Sequence, residues 1–210
     1  GFTQLYNDTA ILCIIDLVTN IPQLKYDINI EFEEGFTWAP CGDILFYWFD
    51  LEDSTRLNYF VLDKQTGIQR TILDTTTLGY AGFFRYAPDC TRFAVYWQNW
   101  DMDQKTGGLW IVSLTEKTTR LVHDGLILPI RWSSDGQYVY AWNSMDNPYD
   151  VVRIHADTGF KELFFRLPFD PSSERINAVD MVSNAYRFIC SVEETVSDIW
   201  MIRNFNPEVK

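Results

Sequence analysis

The stretch Trp132-Ser-Ser-Asp-Gly-Gln137 ends one apolar run, supplies the residues of a tight turn and begins a second apolar run. Related stretches occur at three other places, as Trp38-Ala-Pro-Cys-Gly-Asp43, Tyr86-Ala-Pro-Asp-Cys-Thr91 and Met181-Val-Ser-Asn-Ala-Tyr186. In chain order, the first residues of the four stretches are 48, 46 and 49 positions apart. A repeat of this length, with several short strands in each unit, is typical of a β-propeller. The sequence therefore predicts an all-β fold of four-stranded antiparallel blades.

The second repeat unit illustrates the predicted blade. An inner strand over 35–39 turns at Pro40-Cys41-Gly42 into a strand over 43–49, and both faces of that second strand are apolar. This is expected of a strand that lies between two neighbouring sheets. Strands over 57–62 and 68–73 follow, joined by a hairpin in which Gly67 supplies a positive φ.

The repeats predict a single domain over residues 1–210. It comprises a partial blade over 1–30, whole blades over about 31–78, 79–125 and 126–172, and a partial blade over 173–210. Propellers typically close a ring of four to eight blades. A five-bladed ring is one interpretation of these units. We favour the other, in which a missing N-terminal portion completes six or seven blades.

The chain is acidic, with 29 Asp and Glu against 17 Lys and Arg and a formal net charge of −12. An acidic surface repels phosphate backbones, so we do not expect nucleic acid as a partner. No run approaches the roughly 20 apolar residues of a membrane span, and no basic start followed by an apolar segment marks a signal peptide. Because the chain opens at Gly1 in strand-like sequence, an upstream signal, anchor or domain stays open.

The cysteines do not predict a metal site. None of Cys13, Cys41, Cys90 and Cys190 belongs to a Cys-x-x-Cys pair. Cys41 and Cys90 occupy equivalent turns of neighbouring units, and we expect adjacent blades to hold such turns beyond the ~7 Å Cα separation that a disulfide allows. The sequence thus predicts free thiols, no metal and no cofactor.

Enzyme signatures are also missing. The sequence contains no nucleophile elbow, zinc-protease helix, phosphate-binding loop or dinucleotide-binding motif. We therefore predict a protein that is not an enzyme and has no catalytic residues.

The degenerate Ser-Pro-Asp-Gly turns, together with Gly108-Leu-Trp-Ile-Val112 and Asp198-Ile-Trp-Met-Ile202, resemble the repeat of TolB-like and WD-repeat-like bacterial β-propellers. The stretch Ser197–Pro207 resembles the end of propellers that follow bacterial signalling domains, where they are often fused to kinases or winged-helix regulators. The resemblance implies a propeller fold and a periplasmic or extracytoplasmic location, with a cytoplasmic one still open.

One candidate site is a ring of residues that each precede a repeat stretch. Thr37, Arg85, Arg131 and Asp180 occupy equivalent positions on the predicted inner strands, so we expect them near the central channel. The two arginines and Asp180 suit an anionic or zwitterionic ligand. The alternative, which we favour, is that these charges pair with each other and with nearby carboxylates between blades, since buried charges need partners.

A second candidate, termed here the acidic loop face, comprises the loops between the second and third strands of each blade and the loops that join consecutive blades. Its acidic residues include Asp101 and Asp103, and Trp100 and Tyr80 supply aromatic side chains. Carboxylates suit a basic peptide, and Trp and Tyr are favoured anchors in interfaces. The alternative is an ordinary solvated surface.

These observations predict a non-catalytic scaffold that binds a protein or peptide through the acidic loop face, whose carboxylates suit a basic partner. Two alternatives stay open. In the first, the chain is the propeller part of an enzyme, and it gates a peptidase or holds a channel metal. In the second, it is a structural subunit whose open blade edges are covered by another chain. Convergent ligands from several inner strands would favour the channel metal, but Arg85 and Arg131 stand where some of these are expected.

Overall fold

The structure of the chain, a computed structural model, describes residues 2–6, 9–16, 21–28, 35–49, 57–63, 66, 68–73, 79–99, 106–144, 146–182 and 187–194. These residues form five antiparallel sheets that follow one another along the chain, and no helix occurs among them. The predicted all-β propeller of four-stranded blades is thereby confirmed.

Three sheets have four strands in the sequential order of a propeller blade. The second sheet of the chain contains β4 (Gly35–Trp38), β5 (Ile44–Phe49), β6 (Leu57–Leu62) and β7 (Gln69–Leu73). The third contains β8 (Gly79–Tyr86), β9 (Arg92–Asn99), β10 (Thr106–Ser113) and β11 (Thr118–Asp124). The fourth contains β12 (Ile127–Trp132), β13 (Tyr138–Asn143), β14 (Asp150–His155) and β15 (Lys161–Arg166).

The first and fifth sheets are smaller within the described residues. The first contains β1 (Phe2–Tyr6), β2 (Thr9–Asp16) and β3 (Ile21–Ile28). The fifth pairs β16 (Glu174–Val182) with β17 (Arg187–Glu194). The stretch Asp198–Ile202, which resembles the family repeat, lies outside the described residues.

Apolar side chains fill the spaces between consecutive sheets. Phe93, Val95 and Trp97 of β9 belong to a buried cluster between the second and third sheets. Ala94 belongs to the next cluster, between the third and fourth sheets. Successive side chains of a strand point to opposite faces, so β9 supplies both clusters. A third cluster, which includes Trp142, lies between the fourth and fifth sheets.

The turns after the inner strands share one geometry. In three described turns, the amide of the fourth turn residue donates to the carbonyl of the first: Gly42 to Ala39, Cys90 to Ala87, and Gly136 to Ser133, at 2.9 to 3.0 Å. That fourth residue has a positive φ, of 96° at Gly42, 57° at Cys90 and 69° at Gly136. Glycine adopts this conformation without a steric penalty, whereas a residue with a side chain does so at a cost.

Candidate functional site

The inner strands surround a cavity of about 1040 Å³. β4, β8, β12 and β16 pack as consecutive neighbours, and the walls of the cavity come from the ends of these strands and from the turns that follow them. The lining residues are Thr37, Trp38, Pro40, Arg85, Tyr86, Pro88, Ile130, Arg131, Trp132, Ser133, Ser134, Asp135, Tyr138, Tyr140, Arg153, Asp180 and Met181. Strand order places this cavity at the end of the blades where the first and second strands of each blade are joined.

The structure brings the predicted ring together. Thr37, Arg85, Arg131 and Asp180, which the repeat places at equivalent positions, all line this one cavity. Ligand binding by these residues stays a prediction.

Arg85 joins two neighbouring blades. Its Nε donates to the carbonyl of Ile130 on β12 at 2.6 Å, and its Nη1 donates to the carbonyl of Phe84 at 2.9 Å. Both acceptors lie where the pairing register shifts, between Gly82 and Arg85 in β8 and between Pro129 and Arg131 in β12. A β-bulge disrupts the strand ladder locally. The guanidinium is therefore held by two carbonyls that lie at irregularities of the strand pairing.

Arg131, like Arg85, donates to a backbone carbonyl on the inner strand of the next blade. Its Nη1 donates to the carbonyl of Met181 on β16 at 2.9 Å. In the reverse direction, Trp132 Nε1 donates to the carbonyl of Arg85 at 2.7 Å. Equivalent residues of consecutive inner strands therefore connect the third, fourth and fifth sheets through side chain to backbone hydrogen bonds.

The predicted pairing of these charges takes a different form from the one expected. Within the described part of the chain, no carboxylate forms an ion pair with Arg85 or Arg131; backbone carbonyls are their partners. Asp180 instead accepts a hydrogen bond from the amide of Met181 at 2.7 Å. The pKa of Arg85 is lowered, chiefly because burial disfavours its charged form; Asp180 opposes this shift and Arg131 adds to it.

A third guanidinium enters the cavity from the face of the fourth sheet. Arg131 pairs in register with Tyr140 of β13, and Tyr140 pairs with Arg153 of β14, so the three side chains share one face. Arg153 lies 4.9 Å from the ring centre of Tyr138 and forms a short ion pair with Glu162. Sequence analysis missed Arg153, because recognising it requires the register of three strands.

Charge and aromatic surface together define what the cavity can bind. Its lining contains three arginines and two aspartates. An arginine has five N–H donors, and among the described residues Arg131 uses one of them. Trp38 lies at the cavity with 40% of its surface exposed, whereas Trp132 is 4% exposed. The cavity therefore combines hydrogen-bond donors for an anionic group with an accessible aromatic side chain.

The structure describes little of the four residues named above for the acidic loop face. Trp100, Asp101 and Asp103 lie outside the described residues. The backbone of Tyr80 pairs with Gln98 near the start of β8, and its side chain is likewise outside the description. Binding by this face stays a prediction.

Two further findings concern the described residues. No helix among them is long and apolar enough to cross a membrane. No group of three or more His, Cys, Asp or Glu side chains among them is arranged to hold a metal ion.

Comparisons with known proteins agree on the fold. No family model matches the chain, and no curated protein matches it. Among solved structures, TolB from Acinetobacter baumannii has a TM-score of 0.62 at 14% identity, over 90% of this chain and 47% of that chain. An oligogalacturonate lyase in complex with manganese has a TM-score of 0.52 at 13% identity, over 90% of this chain and 54% of that chain.

A third solved structure is the β-propeller domain of the trilobed protease from Pyrococcus furiosus, with a TM-score of 0.46 at 10% identity, over 79% of this chain and 57% of that chain. The chain thus spans about half the length of these structures. The chain is a β-propeller with a TolB-like fold, as its repeat stretches predict.

Proposed function

We propose that this chain is a non-catalytic binding module whose inter-blade cavity receives a segment of a protein partner. The observation that carries the proposal is the presence of Arg85, Arg131 and the accessible Trp38 around one cavity of about 1040 Å³. Ligand sites commonly have volumes of about 300–1,000 Å³ and combine an apolar lining with a few directed polar groups. A short peptide segment matches that size.

The chemistry of the lining selects the type of segment. Guanidinium groups bind carboxylates through paired, charge-assisted hydrogen bonds, and an exposed Trp offers a rigid apolar contact. A segment with a carboxylate beside an apolar or aromatic side chain fits both features. The net charge of −12 alone would favour a basic partner. The cavity favours an acidic segment instead, because its lining contains more arginines than aspartates.

Peptide arrays provide the test. Labelled peptides with Glu, Gln or Lys beside Phe or Ala would be screened on the purified protein, and the affinity of selected binders measured by fluorescence anisotropy. We expect Glu–Phe peptides to bind best, and Arg131→Gln and Trp38→Ala each to weaken them by about tenfold or more, as loss of an interface anchor does. Arg166→Gln is the matched control, since Arg166 pairs with Asp150 outside the cavity. Equal affinity of Gln and Glu peptides, or equal loss in the control, would refute the assignment.

The acidic loop face is a second proposed surface, supported by sequence alone. It predicts that Lys-containing peptides bind, and that Trp100→Ala combined with Asp101→Lys and Asp103→Lys abolishes their binding while leaving Glu–Phe peptides unaffected. Unchanged binding of Lys peptides to this variant would remove the loop face from the proposal.

The enzyme alternative stays a separate proposal, and a lyase solved with manganese is among the structures that this chain resembles. At 13% identity this likeness concerns the fold alone. Metal analysis of the purified protein separates the two proposals: one equivalent of bound metal would support an enzyme, and substoichiometric metal supports a binding module.

A further inference from the structure

Two cysteines of different blades are in direct contact. The amide of Cys41 donates to Sγ of Cys90 at 3.0 Å. With an N–Cα bond of about 1.46 Å, Cα of Cys41 is then within about 4.5 Å of that sulfur. Burial and the neighbouring Cys41 thiol raise the pKa of Cys90 to about 11. Cys41, Cys90 and Cys190 are free thiols in the structure, as the sequence predicts, and the amide–sulfur contact shows that Cys41 and Cys90 of neighbouring blades lie close together.

The backbone conformation of Cys90 is also unusual for a residue with a side chain. Cys90 occupies the turn position that Gly42 and Gly136 fill in the neighbouring repeats, and it does so at φ 57°. A left-handed conformation is strained for a residue with a side chain, whereas glycine adopts it freely. Strain of this kind persists where the surroundings hold the residue in place, and it is common at functional sites. Here the strained residue is the one whose sulfur reaches the neighbouring blade.

We propose that Cys41 and Cys90 form a reversible disulfide that links the second and third sheets. The oxidant is a low-molecular-weight disulfide such as oxidised glutathione. Cys41 is the exposed member of the pair and Cys90 is half-buried, so Cys41 reacts first. Its thiolate attacks one sulfur of the oxidant, the oxidant's S–S bond breaks, and one glutathione leaves and takes up a proton.

Cys90 completes the exchange. It gives its proton to solvent and attacks Sγ of Cys41, and the second glutathione leaves as a thiol. The balance is two protein thiols oxidised and one glutathione disulfide reduced to two thiols. Because the pKa of Cys90 is raised to about 11, little of its thiol is ionised at neutral pH, so Cys90 is not the thiol that attacks the oxidant first.

The link would lie at the edge of the cavity. Pro40 precedes Cys41, Pro88 lies two residues before Cys90, and both prolines line the cavity. Oxidation thus fixes the separation of two turns that form one wall of the proposed binding site.

Peptide mapping tests the proposal. The reduced, folded protein would be equilibrated in glutathione buffers of graded oxidised fraction, blocked with iodoacetamide, digested with trypsin and analysed without reductant. Cleavage after Lys and Arg places Cys41 in peptide 26–56 and Cys90 in peptide 86–92. We expect these two peptides to appear joined, with alkylation of both cysteines falling in parallel by about tenfold or more across the buffer series, as for a paired dithiol. Dithiothreitol should reverse the change.

Three variants control the experiment. Cys41→Ser and Cys90→Gly should each abolish the joined peptide, and Cys90→Gly retains a turn residue that suits the positive φ. Cys190→Ser removes another free thiol and should leave the joined peptide unchanged. Glutathione attached to Cys41 without the joined peptide, or links that involve Cys13 or Cys190 at equal yield, would overturn the proposal.

Discussion

Trp132→Phe tests the contacts that connect the inner strands. The change keeps an aromatic ring beneath the guanidinium of Arg92, which lies 5.0 Å from the Trp132 ring centre, but it removes the indole N–H. That N–H donates to the Arg85 carbonyl at 2.7 Å, and the Trp132 side chain is 4% exposed. The substitution therefore removes an inter-blade hydrogen bond and leaves a gap in a buried cluster.

The expected cost has two parts. A buried acceptor left without its donor costs about 1–3 kcal/mol. The smaller phenyl ring loses about 1 kcal/mol of apolar burial. The sum is a loss of roughly 2–4 kcal/mol in the free energy of unfolding, which for a chain of this length corresponds to a decrease of about 4–16 °C in Tm.

Urea denaturation followed by far-ultraviolet circular dichroism measures this loss without relying on tryptophan fluorescence. Trp38→Phe is the matched control, because Trp38 begins an equivalent repeat stretch but is 40% exposed, and exposed substitutions usually change stability by about 0.5 kcal/mol or less. A loss below 1 kcal/mol for Trp132→Phe, or equal losses in the two variants, would refute the role assigned to the indole N–H.

Three other predictions concern stability. Gly108→Ala should destabilise the protein by about 1–3 kcal/mol or more, because a Cβ there would lie 2.3 Å from a backbone oxygen of β11. Gly107→Ala should destabilise it less, since its Cβ would meet only the end of one side chain. The urea midpoints of the two variants measure the difference. Phe93→Ala, at a fully buried position, should cost about 3–5 kcal/mol in the same assay. Hydrogen bonds from Ser133 and then from the amide of Gln137 lower the pKa of Asp135. Its charged form therefore stabilises the fold above the unfolded pKa, and this contribution is lost as pH falls through the lower folded pKa. Asp135→Asn should consequently make stability less sensitive to acid between pH 5 and 2, and an unchanged acid profile would contradict this.

The repeat predicts the architecture because its signals are local. An apolar strand, a turn with a positive φ and a second apolar strand lie within about 15 residues, and Gly42 and Gly136 mark the turn position directly in the sequence. Cys90 occupies the same position without the glycine. The turn at Cys90 could be predicted only because the period of the repeat specifies the position of each turn.

The site was less predictable because it depends on contacts between blades. The period places Arg85 and Arg131 at equivalent positions, but it does not indicate that Arg85 donates to the carbonyls of Phe84 and Ile130 at irregularities of the strand pairing. Charge counting favours carboxylate partners for such arginines, whereas the described partners are backbone groups. The contact of Cys41 with Cys90 was missed for the same reason, since blade spacing is a property of side-chain packing.

The arginine contacts have a consequence for any partner that enters the cavity. The four inner strands that surround it belong to separate sheets, so a bound segment would touch four structural units at once. A ligand that binds only the folded assembly stabilises it by about 2.7 kcal/mol at a concentration 100 times its Kd. Occupancy would therefore raise the resistance of these four sheets to separation, and a rise in Tm on mixing would serve as a label-free search for the natural partner.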